Sequence, residues 1–595
     1  MQIYIAPLRD MKFLIRDFID SSFFEDLEFE KSDLEMVLDE ASKICEETLL
    51  PINQSGDLEG CKFDKGKVIT PKLFKEAYKS FIQNGWQGIK VSEKYGGQNL
   101  PYFMNMFFDE MLSSSNMSFS LYPGLTANAI DAIEKSASEE LKNLYLPKLT
   151  SGEWSGTMNL TEPQCGTDLG LSKAMATSQS DGSYKITGTK IFITCGEHDL
   201  SKNIIHLVLA RTPDAPEGIK GISLFLVPKI IPNGDGSLNN RNNLECGSIE
   251  KKMGINGSPT CVMHYNDAKG WLVGDLNKGM KAMFIMMNGA RLFVGIQGLG
   301  ISELAYQSAL YYSKERLQGR SPNGAIYNDK VADPILVHPE IRKNLLRMKS
   351  LNEGIRGLMT LTGLQVDLAN NNKNIKNKIF SNDWVALMTP VLKSFATEVG
   401  LESANTALQI YGGHGYIKDH GIEQLVRDAR IGPIYEGTNG IQALDLVGRK
   451  LHMDDKRLFN NFISYAEDYI NKKKSQEYLS TFLKQFVKSF DDLKKSTEYI
   501  YNKSENKNEM IGPAVDYLKI FGLVAIGLIW LKFIEISHNK KSDEADDDFY
   551  KSKIDTGKFY ITQVLPDTKS LALKVTSGAE SYSEYNDEFF DLGFK

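Results

Sequence analysis

Cysteine is scarce in this chain and shows no pattern. The 595 residues include six: Cys45, Cys61, Cys165, Cys195, Cys246 and Cys261. None makes a CxxC pair and none sits in a His-rich cluster. A zinc site and a disulfide framework are therefore not expected, and a reducing, cytoplasmic setting is. Clustered basic residues are missing as well. Lys and Arg number 69 against 76 Asp and Glu, a net charge of −7. That argues against nucleic acid as a partner, because phosphate binding needs clustered cations. The segment most easily mistaken for a membrane span, 520–531, covers only 12 residues between Lys519 and Lys532. A spanning helix needs about 20, so a buried core helix is expected there. Arg9, Asp10, Lys12, Arg16 and Asp17 break any apolar signal-peptide core in residues 1–19.

What remains is an ordinary globular composition, 42% apolar and 24% charged. The length suggests roughly three to five domains or subdomains, and the pattern divides the chain into five segments. Residues 1–34 are an N-terminal extension. Residues 35–154 read as helical. Ser32 and Glu35 fit a capping box, and Met104, Phe107, Phe108 and Met111 recur at steps of three and four. Residues 155–275 alternate short apolar runs with turn residues, as in a compact β-domain, with buried strands expected at 204–210 and 222–227. Residues 276–451 return to helical spacing at Met283, Met287, Ala290, Val294, Gln297 and Ile301. Short Gly-containing connections there imply an antiparallel bundle. Residues 452–595 are richer in Lys, Asn, Asp and Ser but keep an apolar period at Phe459, Ile463, Ala466 and Ile470. A further helical domain is expected, with a charge-rich loop at 540–548. The fold class is multidomain α+β.

Four segments carry chemistry. TEPQCGTD, 161–168, is a loop at a strand end that can turn backbone N–H groups and hydroxyls toward a ligand. GTKIFITCG, 188–196, sets Phe192 and Thr194 on one side of a strand, a ring and a hydroxyl that could face a planar cofactor. QIYGGHG, 409–415, allows close backbone approach through its three glycines. Taken singly, each also reads as a turn, a half-buried strand or a helix end. His414 and His420 lack the further ligands a metal site needs. In GPIYEGTNGIQ, 432–442, Gly432 and Pro433 end a helix and Glu436 follows Ile434 and Tyr435. A carboxylate in apolar surroundings has its pKa raised, which suits a general base near neutral pH.

Together, in this order and spacing, the segments resemble the acyl-CoA dehydrogenase family over about residues 35–450. The N-terminal piece and the extra domain resemble its larger bacterial branch, which includes 3-methylmercaptopropionyl-CoA and broad-range fatty acyl-CoA dehydrogenases. The resemblance implies FAD as cofactor, an acyl-CoA substrate, fatty acid β-oxidation chemistry, an electron-transfer flavoprotein as acceptor and a homodimer or larger homo-oligomer. By position it implies that Met158, Leu160, Thr161 and Thr167 lie beside the flavin and the CoA pyrophosphate, and that Phe192 and Thr194 pack on the flavin and bond near its N5. It places Asn288 and Arg291 on the CoA moiety and Arg316 and Gln318 on the FAD pyrophosphate across a subunit interface. Gln409, Gly412, Gly413, Thr438 and Asn439 match further FAD contacts. Glu436 matches the base that removes the α-proton, and Gly437 its substrate-side neighbour. Cys165, Thr167, Phe192 and Cys195 stand where Ala, Ser, Trp and Asn are frequent, which bears on substrate preference more than on activity. An insertion at 321–337 breaks the match after Arg316. The same scaffold also serves acyl-CoA oxidases, which pass electrons to oxygen, and some flavin-containing DNA-binding relatives. The latter would need a basic C-terminal domain, whereas residues 451–595 carry 21 Lys and Arg against 24 Asp and Glu.

Overall fold

The computed structural model describes residues 2–25, 29–371, 374–540 and 547–594. The first helix of the body, α1 (Lys31–Lys43), is capped by Glu30 and Asp33, the Glu30 N–H donating to the Asp33 carboxylate at 3.1 Å. The expected pair, Ser32 and Glu35, does not cap it, because Glu35 is taken by Arg16 at 2.5 Å. The stretch that follows is not wholly helical. Lys62–Asp64 and Lys67–Ile69 pair as an antiparallel hairpin, too short and too exposed to leave an apolar period in the sequence. Helix α2 (Tyr102–Ser115) then packs with α3 (Met117–Ser136). α2 is buried around nearly its whole circumference, including Asn105, Glu110 and Ser113, rather than along one stripe.

The middle of the chain is a seven-stranded sheet: β1 (Trp154–Asn159), β2 (Met175–Ser178), β3 (Tyr184–Thr194), β4 (Asn203–Arg211), β5 (Ile222–Pro228), β6 (Leu244–Ile249) and β7 (Thr260–Val273). β7 pairs β3, β3 pairs β2 and β2 meets β4, while β5 pairs both β4 and β7. The five close into a ring, which leaves β1, paired to β4, and β6, paired to β7, as the edge strands. β4 and β5 are buried on both faces, which is why 204–210 and 222–227 read as near-continuous apolar runs, broken only by His206 and Ser223. Val208 and Ala210 point into the ring with Phe225 and Val227. The alternate residues Ile205, Leu207 and Leu209 pack outward against Ile130 and Ile133 of α3 and against Met283 and Met286.

Those two methionines open a long helix, α4 (Gly279–Glu315), which bundles with α5 (Pro339–Asn371) and the equally long α6 (Ile375–Tyr411). Residues 372–374 alone separate α5 from α6, as an antiparallel pair requires. The other connection, 316–338, is long rather than short. It is organised by buried Asp333, which accepts backbone N–H groups from Ser321 at 3.0 Å and Tyr327 at 2.9 Å. α4 and α6 approach backbone to backbone: a Cβ on Gly400 would lie 2.6 Å from the Gly298 oxygen. Short helices follow, among them α7 (Ile422–Ala429) and α8 (Asn439–Gly448).

The last segment is helical, with α9 (Arg457–Lys473), α10 (Ala514–Lys540) and α11 (Asp547–Phe559) among its elements. Every residue of 520–531 is buried within α10. α4 and the stretch containing α10 are long and apolar enough to cross a membrane, yet 72% and 83% of their apolar windows are packed inside the protein. Of the expected charge-rich loop, residues 541–546 lie outside the described residues. The flanking Lys540, Asp547 and Asp548 are helical. The outer segments are tied to the body by buried charge. Arg356 on α5 pairs with Glu110 of α2 at 2.6 Å, Glu303 of α4 at 2.9 Å and Asp10 at 3.2 Å. Lys553 on α11 reaches Asp10 and Glu353, both at 2.8 Å.

Candidate active site

Between α7 and α8 the chain turns at 430–438, and there Glu436 and Gly437 are consecutive residues at positive φ, 57° and 85°. Glycine adopts this freely, whereas for glutamate it costs about 1–3 kcal/mol and persists only when surroundings enforce it. Three side chains do so. Arg291 of α4 donates to the Glu436 carbonyl at 3.4 Å. Gln442 of α8 donates to the carbonyls of Glu436 and Gly437 at 3.2 and 3.1 Å. Lys393 of α6 donates to the Gly437 carbonyl at 2.8 Å and to Asn439 Oδ1 at 3.0 Å. A Cβ on Gly437 would press on Gln442 Nε2 at 2.8 Å. Among the described residues the Glu436 N–H donates to no acceptor of the chain.

Glu436 is half-buried. Burial pushes its carboxyl up to about 7, against the pull of Arg291 and then of Lys393. That is the range of a general base at neutral pH. The apolar flank is one-sided. Tyr435 turns inward and donates its hydroxyl to Gln297, while Ile434 is 46% exposed. Thr438 is exposed and caps α8 through the Ile441 N–H at 3.3 Å. Asn439 is buried, its amide donating to Glu398 at 2.9 Å and Thr397 at 3.2 Å. That side chain fastens the loop to α6.

The β-domain supplies the second group. Thr157 on β1 donates to the Thr194 carbonyl at 2.7 Å, and the Ile191 N–H donates to the Thr161 carbonyl at 2.9 Å. These bonds bring Met158, Leu160, Thr161, Phe192 and Thr194 to one rim. Met158 and Leu160 are half-buried against the apolar cluster that also includes Met287 of α4. Opposite Val262 the β3–β7 register slips by one residue, and Phe192 sits in that bulge at φ 58° and is 60% exposed. The loop beneath is pinned by buried Lys190, which donates to Glu162 at 2.7 Å and to the Leu160 carbonyl at 3.0 Å. Glu162 also accepts from Ser172 at 2.5 Å and from the Lys173 N–H at 2.8 Å. Although buried, it is held down to about 2 by Lys190 and these donors. Thr167 stands exposed on the loop.

α4 joins the two groups, with exposed Asn288 and buried Arg291 one turn beyond the β-packing methionines. The remaining predicted residues are elsewhere. Arg316 and Gln318 are exposed past the far end of α4, roughly 37 Å from Arg291 at about 1.5 Å per residue. Gln409, Gly412 and Gly413 are exposed at the end of α6. Tyr312 unites these two ends by stacking on Tyr411 at 4.0 Å and bonding to His414 at 3.0 Å. His414 and His420 stack at 4.7 Å, and among the described residues no His, Cys, Asp and Glu gather as metal ligands. Lys393 and Gln442 received no role from the sequence, nor did the Glu162–Lys190 pair. Lys393 had a signal: it is the one charge between Trp384 and Thr397.

Comparison with known proteins finds family matches along most of the chain. Families described as acyl-CoA dehydrogenase N-terminal, middle and C-terminal domains match residues 31–153, 157–268 and 277–451. One described as acetyl-CoA dehydrogenase C-terminal like matches 460–585. The chain is 40% identical to a 3-methylmercaptopropionyl-CoA dehydrogenase of Ruegeria pomeroyi, over 97% of this chain and 99% of that one. It is 34% identical to a butyryl-CoA dehydrogenase of Syntrophomonas wolfei, over 95% of each. An FAD complex of an acyl-CoA dehydrogenase from Bacillus anthracis shares the fold with a TM-score of 0.73 and 21% identity, over 93% of this chain and 91% of that one.

Proposed function

The chain belongs to the acyl-CoA dehydrogenase family, and from that premise we propose that Glu436 is the base of its α,β-dehydrogenation, which turns an acyl-CoA thioester into the trans-2-enoyl-CoA. The protein is an FAD-dependent oxidoreductase of that family. The observation that carries the role of Glu436 is its carboxyl, tuned to about 7 on a strained loop held by Arg291, Gln442 and Lys393.

The residues present suit the cofactor. An exposed Phe192 ring on a bulge lies beside the Thr161 and Thr194 rim, and the exposed Gly412 and Gly413 have open space where a Cβ would stand. Bound FAD supplies the acceptor for the hydride that leaves Cβ. The chain does the rest. Glu436 takes the proton from Cα, forming a neutral carboxyl. Its own N–H is free to donate to the thioester oxygen as negative charge builds there. Arg291 and Lys393 stabilise the charged carboxylate before the transfer. Thr167, Asn288 and Arg291 are assigned to the CoA moiety, and Gly437 leaves room beside the acyl Cα.

Arg316, Gln318, Gln409, Gly412 and Gly413 are assigned to FAD of a second subunit. Their exposure and their distance from Arg291 support a homodimer or larger homo-oligomer. An electron-transfer flavoprotein as acceptor, a cytoplasmic setting and a place in fatty acid β-oxidation complete the proposal. In it the base stands on the fourth of five segments, 276–451. Anaerobic mixing of the FAD-loaded protein with acyl-CoAs of graded length tests the reading. Loss of flavin absorbance with at least one of them is expected; an unchanged spectrum with all would overturn it. Slow reoxidation in an oxygen electrode separates it from an oxidase.

A further inference from the structure

Lys393 is fully buried in an otherwise apolar stretch of α6. Its two hydrogen-bond partners are the Gly437 carbonyl and the Asn439 side-chain oxygen, and neither is charged. A buried ammonium without a bonded carboxylate is unfavourable, and methionine would fill much the same volume. What the ammonium adds is a set of donors aimed at the residue after Glu436, and a charge behind the loop. The other charged groups facing the loop are accounted for. Arg291 comes from α4, shared between the Glu436 carbonyl and Asp445 of α8 at 3.9 Å. Asp445 in turn holds Arg449 at 2.6 Å, with Lys450 beyond it. Glu398, on α6 itself, is bonded through the Asn439 amide at 2.9 Å.

Resting on the reading of Glu436 as the base, we propose that Lys393 is a positioning residue for proton abstraction. It fixes the Gly437 carbonyl and supplies the positive field that keeps the Glu436 carboxylate charged. Burial lowers the Lys393 ammonium itself to about 8, against the pull of Glu436. It therefore carries charge through neutral pH and begins to lose it above that value. The field thus operates in the window where Glu436 titrates.

The test uses the FAD-loaded full chain and its Lys393→Met, Lys393→Gln and Lys393→Arg variants. Infrared difference spectra against pH follow the protonated-carboxyl band that Glu436→Gln removes. In Lys393→Met and Lys393→Gln that band should titrate about one pH unit higher than in the parent. In Lys393→Arg it should stay near the parental position. Glutamine can still donate to the Gly437 carbonyl, so it separates the charge from the hydrogen bond and serves where methionine prevents folding. The acid limb of the acyl-CoA bleaching rate should move by the same unit, a tenfold loss on that limb. A band that titrates identically in all variants, or a uniform slowing with no shift of the pH profile, would overturn the proposal. The infrared titration needs no substrate, so failure of acyl-CoA to bleach the flavin would count against the base reading and leave the field of Lys393 decided.

Discussion

Lys190 Nζ lies 2.7 Å from Glu162 Oε1, and neither side chain has appreciable access to solvent. A paired buried carboxylate is stable only while its partner stays. Lys190→Met should therefore lower stability by about 3–5 kcal/mol. The 161–168 loop should also release flavin more readily, because the bond to the Leu160 carbonyl is lost with it. Thermal melting and flavin in the filtrate read the two effects. Glu162 is held at about 2, below its ordinary 4.5, so its contribution is present above 4.5 and is lost as pH falls toward 2. A variant as stable as the parent at pH 7 would show that the pair carries no weight.

Lys553 is the only cation that the last segment places on both Asp10 and Glu353 among the described residues. Removing it leaves two carboxylates in a buried network already crowded by Glu110 and Glu303 around Arg356. Lys553→Met should depress the melting temperature strongly, and Lys553→Met with Glu353→Gln should cost less than the two single effects added, since they share one contact. Additive losses would mean that the pair does not couple the last segment to α5.

Much of the fold was legible because burial writes itself into spacing. β4 and β5 read as near-continuous apolar runs, broken only by His206 and Ser223, since both faces are covered, and 520–531 read as core since nothing in it is charged. The helix cap slipped because Arg16, distant in sequence, claimed Glu35. The Lys62–Asp64 hairpin was missed because exposed three-residue strands have no apolar period. At the candidate site, the motif residues are proposed from resemblance, and resemblance does not say what holds them. Lys393 and Gln442 act on backbone carbonyls, a contact set by how α6 and α8 pack, and no motif records it.

Arg316 is exposed where α4 ends, beside the loop after α6. If it pairs with a phosphate of FAD bound to a second subunit, Arg316→Ala should weaken flavin retention by about 1.5–3 kcal/mol, the worth of a charge-assisted bond. The fold of the single chain should be untouched. Equilibrium dialysis measures the first and circular dichroism the second. Light scattering should report at least a dimer for the parent. Unchanged flavin affinity, or a monomeric mass, would remove the shared-site arrangement.

Glu436→Gln decides the central assignment. The amide keeps the shape of the carboxyl and cannot take a proton from Cα near neutral pH, so flavin and acyl-CoA should still bind while bleaching slows by about two to four orders of magnitude. In the parent the bleaching rate should rise with pH through about 7, because below that value Glu436 is protonated and cannot act as base. The mutant should lose this limb. The stability sign runs opposite to that of Glu162. The fold raises the Glu436 carboxyl above its ordinary 4.5, so charging it above about 7 is unfavourable to the native state. Glu436→Gln removes that penalty, and at pH 8 the mutant should melt no lower than the parent. A mutant that melts well below the parent at that pH would mean that Glu436 holds the loop rather than serves the chemistry. Bleaching at the parental rate would assign the proton to another residue.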